Sequence, residues 1–378
     1  MKNIPFNRPF ITGNEYSYIS DAIINGVSSG NGDFTKKCHF LLEEILGVSK
    51  VFLTTSCTHA LEMAALLLDI QQGDEVIVPT FTFVSTANAF ALRGAKPVFI
   101  DIRSDTLNMD EKQLESKITT RTKAIIPVHY AGIGCEMDGI LDIATHYQVE
   151  VIEDNAHGLF GKYKDTFLGT FGTLATLSFH ETKNITCGEG GALLINDNQL
   201  LERAEILWEK GTNRSQYFRG QVDKYTWVDL GSSYLPSDIL AAFLLAQLEE
   251  FESIQSKRKV IWERYNEQLI DWAIRNEVKL PFIPKHCDQS YHMFYLLLPT
   301  FEHRQMLIQH LKTAGISSVF HYVPLHISKM GKLYGGNIND CPIAEDISER
   351  LLRLPFFNDL TENDQSFVIN TIKKFNIS

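Results

Sequence analysis

Cysteine is sparse and scattered, with six residues at 38, 57, 135, 187, 287 and 341 of a 378-residue chain. No two form a CxxC pair, which excludes a zinc ribbon and a thioredoxin-like motif. Isolated thiols in a long chain fit a reducing cytoplasm better than a disulfide framework. Positive charge is in deficit as well. Lys and Arg number 35 against 46 acids, for a formal net charge of −11. That excludes a generally basic nucleic-acid binder but leaves room for a local basic pocket holding an anionic ligand. Long apolar runs are missing: Ile239–Ala246 spans eight residues, against the roughly 20 that cross a membrane. The opening MKNIPFNRPF places Pro5 and Pro9 where a secretory leader needs an apolar stretch. The expectation is a cytoplasmic protein with no membrane span and no nucleic-acid partner. No metal ligand set is expected either, because His180-Glu181 lacks the second histidine of HExxH. Gly188-Glu189-Gly190-Gly191 is neither a Walker loop nor a dinucleotide fingerprint.

What is present is ordinary globular composition, 44% apolar and 21% charged. The length suggests two or three domains. From Val51 onward short β-rich runs recur: Val51–Thr54, Val76–Pro79, Pro97–Asp101, Ala124–Val128, Val149–Glu153, Leu174–His180 and Ala192–Ile195. Helical patterns separate most of them, at Thr58–Asp69, Phe83–Leu92, Asp110–Ile118 and Glu136–His146. Strands alternating with helical crossovers predict a mostly parallel α/β sheet with helices on both faces. Ligands in such sheets bind beyond the carboxyl ends of the strands. A polar, aromatic stretch at 210–234 breaks the rhythm, and Asp238–Arg275 reads as long helical material. Beyond it, strands at Met293–Leu298 and Val319–Val323 flank a helix at Glu302–Ala314 that Gly315 would end. Helices at Ala344–Leu352 and Thr361–Lys374 close the chain. The division expected is a large domain over 1–237 and a linking helix with a smaller α/β domain over 238–378.

Strand Val149–Glu153 runs directly into Asp154-Asn155-Ala156-His157. Alone, Asp154 is a turn or capping aspartate. A second segment, Ser178-Phe179-His180-Glu181-Thr182-Lys183, leads into the glycines Gly188, Gly190 and Gly191. A third, Ser56-Cys57-Thr58, opens a helix where free N–H groups and hydroxyls meet the positive end of the dipole. Together the three suit pyridoxal phosphate. That cofactor needs a lysine for its Schiff base, a carboxylate facing the pyridinium nitrogen and a cup for the phosphate.

These residues, with Pro79–Ala89, Glu153-Asp154, Tyr322-Val323-Pro324-Leu325-His326 and Arg353-Leu354-Pro355, give the chain its likeness. It resembles the DegT/DnrJ/StrS sugar aminotransferases, within the fold-type I, aspartate-aminotransferase-like pyridoxal-phosphate enzymes. The resemblance runs from Ile4-Pro5-Phe6 to Pro355. It implies Lys183 as the Schiff-base lysine and Asp154 as partner of the pyridine nitrogen. Phe83 would stack on the cofactor ring and His157 reach its phenolic oxygen, while Ser178 and the backbone of Cys57 and Thr58 hold the phosphate. Many relatives carry Asn at the position of Leu235, reaching the phosphate of a neighbouring subunit. Leucine has no such group, so Ser232 or Ser233 would replace it. A homodimer with shared active sites is implied.

The resemblance of Gly211–Trp227 narrows the implied substrate pair. L-glutamate would donate the amino group and a dTDP-linked keto sugar, dTDP-4-dehydro-6-deoxyglucose, would receive it at C4 with galacto configuration, for surface polysaccharide synthesis. Lys210, Arg214, Arg219 and Lys224 stand there against one acid, Asp223, a set able to receive a sugar-nucleotide diphosphate. Read singly, each is as well explained as a solvated loop residue. Tyr322 and His326 match positions on the substrate side. Three alternatives stay open: amination at C3 or with gluco outcome, a dehydratase, and a non-catalytic binder of cofactor or nucleotide sugar. Lys183 argues against the dehydratase, whose relatives carry histidine there. Loss of Lys183 or Asp154 would suit the binder, and both are present.

Overall fold

A computed structural model describes residues 3–377. In chain order the strands begin β1 (Lys50–Thr54), β2 (Glu75–Pro79), β3 (Lys96–Ile100), β4 (Thr122–Ile125) and β5 (Glu150–Asp154). A short hairpin, β6 (Lys162–Tyr163) and β7 (Thr166–Phe167), precedes β8 (Leu174–Ser178) and β9 (Gly191–Ile195). Seven of these form one sheet in the order β1-β9-β8-β5-β4-β2-β3. β9 runs antiparallel to both its neighbours, and the other neighbouring pairs of this sheet are parallel. The expected sheet is there, with strand limits shifted by one to three residues.

Its strands read as unbroken apolar runs because both faces are covered. Along β2, Val76 and Val78 enter a core shared with Leu61, Ala64 and Phe90 from helices Cys57–Leu67 and Val84–Ala91. Ile77 points to the opposite core, with Ile140 and Ala144 of helix Met137–Tyr147. At 20–33 cal/mol per Å² of apolar surface, such two-sided burial gives each large aliphatic side chain about 1.5–3 kcal/mol.

The long helical stretch divides at Glu250 into helices Asp238–Glu249 and Phe251–Arg275. The first packs its Ala241, Ala242, Leu245 and Leu248 against Phe34, Cys38, Leu42 and Val51. It therefore belongs to the large core. The second carries Ile254 in that core and Ile261, Trp262, Tyr265, Leu269 and Trp272 in another. The seam between the cores thus falls inside Phe251–Arg275, C-terminal to the boundary expected at 238. In the smaller core, β11 (Tyr295–Leu297) pairs with β12 (Leu351–Arg353), after a two-residue strand β10 (Cys287–Asp288) that joins the β6–β7 hairpin. Helix Phe301–Thr313 ends before Gly315, whose φ of 79° is the left-handed value expected there. The strand expected over Val319–Val323 does not form. Val319 makes only an isolated bridge to Arg353, and the residues after it, Phe320, His321 and Tyr322, line a cavity instead of continuing the ladder.

Candidate active site

The cavity, about 760 Å³, opens at the carboxyl ends of β1, β2, β4, β5 and β8 and is closed from the other side by residues 292–293, 319–322, 353 and 356. Of the residues expected to touch cofactor or substrate, Cys57, Thr58, Phe83, Asp154, His157, Ser178, Lys183 and Tyr322 all line it. Seven come from strand-to-loop crossings, which is why distant parts of the chain converge.

Lys183 sits in the loop between β8 and β9. The loop continues the β8–β9 ladder through Phe179 N to Gly190 O (2.8 Å), Cys187 N to Phe179 O (2.9 Å) and Glu181 N to Gly188 O (2.8 Å). Next to the lysine, Asn184 donates to Ser290 O (2.6 Å) and Gln255 Oε1 (3.1 Å) and accepts from His292 Nδ1 (3.0 Å). The loop is thus tied to the second core. Desolvation, helped by the cation of Arg353, pulls the Lys183 amine down to about 8 against the opposing pull of Cys57 and Asp154.

Asp154 ends β5 and is buried. Its Oδ2 accepts from the Thr86 hydroxyl at 2.7 Å and its Oδ1 from Ala156 N at 3.2 Å. Thr86 spends its only hydroxyl proton there, so the neighbouring Thr82 hydroxyl, 2.8 Å away, donates to Thr86. Burial raises the Asp154 pKa, and Thr86, Ala156 and Lys183 draw it back. A cationic ring nitrogen in the cavity would restore full ionisation.

His157 is buried, its ring stacked on His292 with centroids 4.2 Å apart. Its Nε2 lies 3.4 Å from the Tyr322 hydroxyl, and its Nδ1 has no hydrogen-bond partner among the described residues. A buried polar atom without a partner is costly, and a ligand oxygen would satisfy it. The histidine stays neutral, since burial first and Lys183 second push its pKa well down.

The phosphate cup is built by close approach. Ser56 caps helix Cys57–Leu67, its hydroxyl accepting from His59 N at 3.1 Å, so the N–H groups of Cys57 and Thr58 have no intrahelical partner. Gly191 passes so near that a β-carbon on it would lie 2.4 Å from Cys57 N. Only glycine permits this approach. Phe83 is 56% exposed at the mouth of the cavity, free to cover a planar ring. The orphan histidine nitrogen, the buried carboxylate, the lysine and the glycine-walled cup fit pyridoxal phosphate.

Other expected residues lie elsewhere. His326 is fully buried behind the cavity, with Nδ1 2.6 Å from the Thr80 hydroxyl and Nε2 2.9 Å from Glu345. Both ring nitrogens are spent, so its role here is to join the two cores and not to touch substrate. Ser232 is exposed and outside its own chain's cavity, and Leu235 packs against Gly30. Lys210, Arg214, Arg219 and Lys224 also lie outside that cavity. Lys210 faces Glu209 at 3.7 Å, the Arg214 guanidinium covers the Phe218 ring, and Lys224 is exposed. Both terminal nitrogens of Arg219 meet Glu205 at 2.7 Å. Exposed aromatics, Phe218 and Trp227 among them, stand in the same segment.

Sequence reasoning missed Thr82, Thr86, His292, His321 and Arg353 as cavity residues. Thr82 and Thr86 fall inside the Pro79–Ala89 motif and Arg353 opens Arg353-Leu354-Pro355, so the signal was there without its direction. One string, Gly26-Val27-Ser28-Ser29-Gly30, has the spacing of a hydrolase nucleophile elbow. It lies in the connection between helices Glu15–Ile24 and Asp33–Leu46, not at a strand-to-helix turn.

Residues 10–373 match the model of the DegT/DnrJ/EryC1/StrS aminotransferase family. The chain is 34% identical over 379 residues to GDP-perosamine synthase of Escherichia coli O157:H7, covering 99% of each. It is 35% identical to an uncharacterized protein of Methanocaldococcus jannaschii, covering 98% of this chain and 97% of that one. Among solved structures it resembles the PLP form of Spr1654 from Streptococcus pneumoniae, assigned as a sugar aminotransferase. There the TM-score is 0.91 at 29% identity, with 99% of this chain and 98% of that one covered. A DegT/DnrJ/EryC1/StrS aminotransferase from Brucella abortus follows at TM-score 0.88 and 32% identity, covering 97% and 96%. The chain belongs to the DegT/DnrJ/EryC1/StrS aminotransferase family, and its cofactor is pyridoxal phosphate.

Proposed function

From that membership we propose that this aminotransferase moves an amino group from L-glutamate to C4 of dTDP-4-dehydro-6-deoxy-D-glucose. The product would be dTDP-4-amino-4,6-dideoxy-D-galactose, for surface polysaccharide synthesis. The observation that carries the reaction class is the convergence of Lys183, Asp154 and the unpartnered Nδ1 of His157 in one cavity beside the Cys57–Thr58 cup. When bound, pyridoxal phosphate supplies an electron sink that acidifies the C–H bond next to the transferred nitrogen. Asp154 keeps a proton on the ring nitrogen, and Thr86 holds the carboxylate for that task. His157 meets the phenolic oxygen. Ser178 and the Cys57 and Thr58 N–H groups take the phosphate, and Phe83 covers the ring. Lys183 Nζ holds the cofactor and, once released, carries the proton away from the amino-bearing carbon. An amine with a pKa of about 8 can do this near neutrality.

The sugar assignment rests on the resemblance of Gly211–Trp227. Because the cations of that segment do not line their own cavity, they would receive the diphosphate in the cavity of a second copy, making the working unit a homodimer with shared sites. The similarity to GDP-perosamine synthase supports a second reading, a GDP-linked 4-keto sugar as acceptor. NMR of the products formed from L-glutamate with dTDP- and GDP-linked 4-keto-6-deoxy sugars separates them. Product from dTDP-4-dehydro-6-deoxyglucose with an axial 4-amino group is expected. Exclusive use of the GDP sugar, or an equatorial 4-amino product, overturns the assignment.

A further inference from the structure

His292 lines the cavity and is buried, yet it has no proton to offer a ligand. Asn184 decides this. Its amide nitrogen donates to Ser290 O at 2.6 Å and to Gln255 Oε1 at 3.1 Å, so its oxygen is the atom that meets His292 Nδ1 at 3.0 Å. An amide oxygen only accepts, and Nδ1 must therefore carry the proton. Burial first and the neighbouring His157 second push the His292 pKa well down, which keeps the ring neutral. Its one N–H is spent on Asn184, and Nε2 is left as an acceptor.

What His292 does offer is a flat face. Its ring lies nearly parallel to that of His157, with centroids 4.2 Å apart and 16° between the planes. His157 has little else to fix its ring. Its Nδ1 has no hydrogen-bond partner among the described residues, and its Nε2 has the Tyr322 hydroxyl at 3.4 Å. The next parallel ring, His321, is 6.1 Å away. Close contact with a ring that is itself pinned thus limits how far His157 can turn. The backbone carries the same coupling. The Ser290 hydroxyl donates to His157 O, while Ser290 O receives Asn184, the residue after Lys183. Tyr291 between them holds a φ of 53°, uncommon for a residue with a β-carbon. The buried Arg258 keeps that turn by donating to Tyr291 O at 2.9 Å and to His292 O at 2.6 Å.

We propose that His292 is a positioning residue: pinned by Asn184 and stacked on His157, it aims His157 Nδ1 at the phenolic oxygen of the cofactor. The inference rests on His157 meeting that oxygen, as in the function proposed above. A hydrogen bond weakens steeply as its angle at the proton closes, so a turn of the His157 ring costs the contact even where the distance survives. His292 cannot supply the bond itself, because its only N–H is committed. Its influence on the oxygen therefore passes through His157. Because Asn184 adjoins Lys183, one pin keeps the Lys183 loop and the His157 ring in register.

The test is cofactor binding to the full-length apoprotein, read by equilibrium dialysis. Pyridoxal phosphate is compared with its 3-deoxy analogue, which lacks the phenolic oxygen but keeps the aldehyde, ring nitrogen and phosphate. Relative to His157→Leu, the wild type should prefer pyridoxal phosphate by about 10- to 150-fold, the worth of a hydrogen bond to a charged group. His292→Leu removes the stacked face and should weaken pyridoxal phosphate by about tenfold or more, with the analogue changed by less than about twofold. Retained binding of the analogue shows that the site is folded. His292→Phe keeps a flat ring without the bond to Asn184, and should fall between wild type and His292→Leu. Added to His157→Leu, the His292→Leu change should have no further selective effect. If His292→Leu weakens both ligands equally, or neither, or acts selectively without His157, the proposal is overturned while His157 keeps its assignment. If wild type and His157→Leu show the same preference, the assignment of His157 to the phenolic oxygen fails, and this inference with it.

Discussion

Capture of pyridoxal phosphate by the apoprotein should titrate with a midpoint near pH 8, far below that of an ordinary lysine. Only the neutral amine attacks the aldehyde. Burial lowers Lys183 from 10.5 to about 8. At pH 7 about one amine in ten is then neutral, against about one in 3,000 for an unperturbed lysine, a gain of roughly 300-fold in reactive species. The surrounding charges have opposite signs and give opposite signatures. Asp154→Asn removes an anion that supports the ammonium, so the midpoint should move lower still. Arg353→Gln removes a cation that opposes it, so the midpoint should rise. Stopped-flow absorbance of cofactor uptake across the pH range, divided by the rate with a free lysine peptide in the same buffers, cancels the cofactor's own titration. The normalised rate should fall away above pH 8 as the peptide catches up. A ratio that stays flat to strongly alkaline pH refutes the buried-amine argument, and so does a shift of both variants in one direction. The same shift acts on stability. Between about pH 8 and 10.5 the unfolded chain binds the proton that the folded one has lost, so this group's contribution to apoprotein stability rises with pH across that window.

Asp154→Asn should keep the cofactor yet slow the glutamate half-reaction by about 10- to 1,000-fold, the equivalent of the one to three pKa units that an adjacent charge commands; single-turnover absorbance checks it. Gly191→Ala drives a β-carbon to 2.4 Å from Cys57 N, so cofactor affinity should fall at least about tenfold, with about 1–3 kcal/mol lost in apoprotein stability. Equilibrium dialysis and denaturant melts read the two effects. In the basic segment, Arg214→Gln should raise the keto-sugar KM more than Arg219→Gln, because Arg219 is already committed to Glu205 on both terminal nitrogens. Steady-state kinetics with saturating glutamate orders them, and equal effects would show that Arg219 leaves Glu205 for the substrate.

How much of this was legible beforehand depended on whether a residue's meaning is local. The sheet was readable because parallel strands buried on both faces are short apolar runs whose period breaks into helices. That Lys183 and Asp154 would meet in one cavity was readable because a lysine before a glycine turn and a carboxylate at a strand end, both in loops beyond one sheet, suit a single cofactor. Direction was not readable. His321 and His326 stand five residues apart, the first just outside the Tyr322–His326 motif, yet His321 stacks on Tyr322 at the cavity with its Nδ1 2.6 Å from the Tyr130 hydroxyl, while His326 turns away to Thr80 and Glu345. Nothing in Phe320–His326 encodes that reversal; it follows from contacts with residues far away in sequence.

Arg353 shows the same limit at one bend of backbone. The pattern Ala344–Leu352 reads as helix to its end, which would put Arg353 on a helical terminus in solvent. The helix instead stops at Arg350 and the next three residues pair with β11. Extended backbone throws successive side chains to opposite faces, so Leu351 enters the core around Tyr130 and Ile102, and Leu352 the core around Trp272 and Phe294. Arg353, next in the alternation and bridged to Val319, is carried to the cavity wall. A three-residue change of secondary structure, with β12 paired to β11, thus places this cation in the cavity that Lys183 also lines. Such a residue becomes visible as part of the cavity wall only when the backbone that aims it is known.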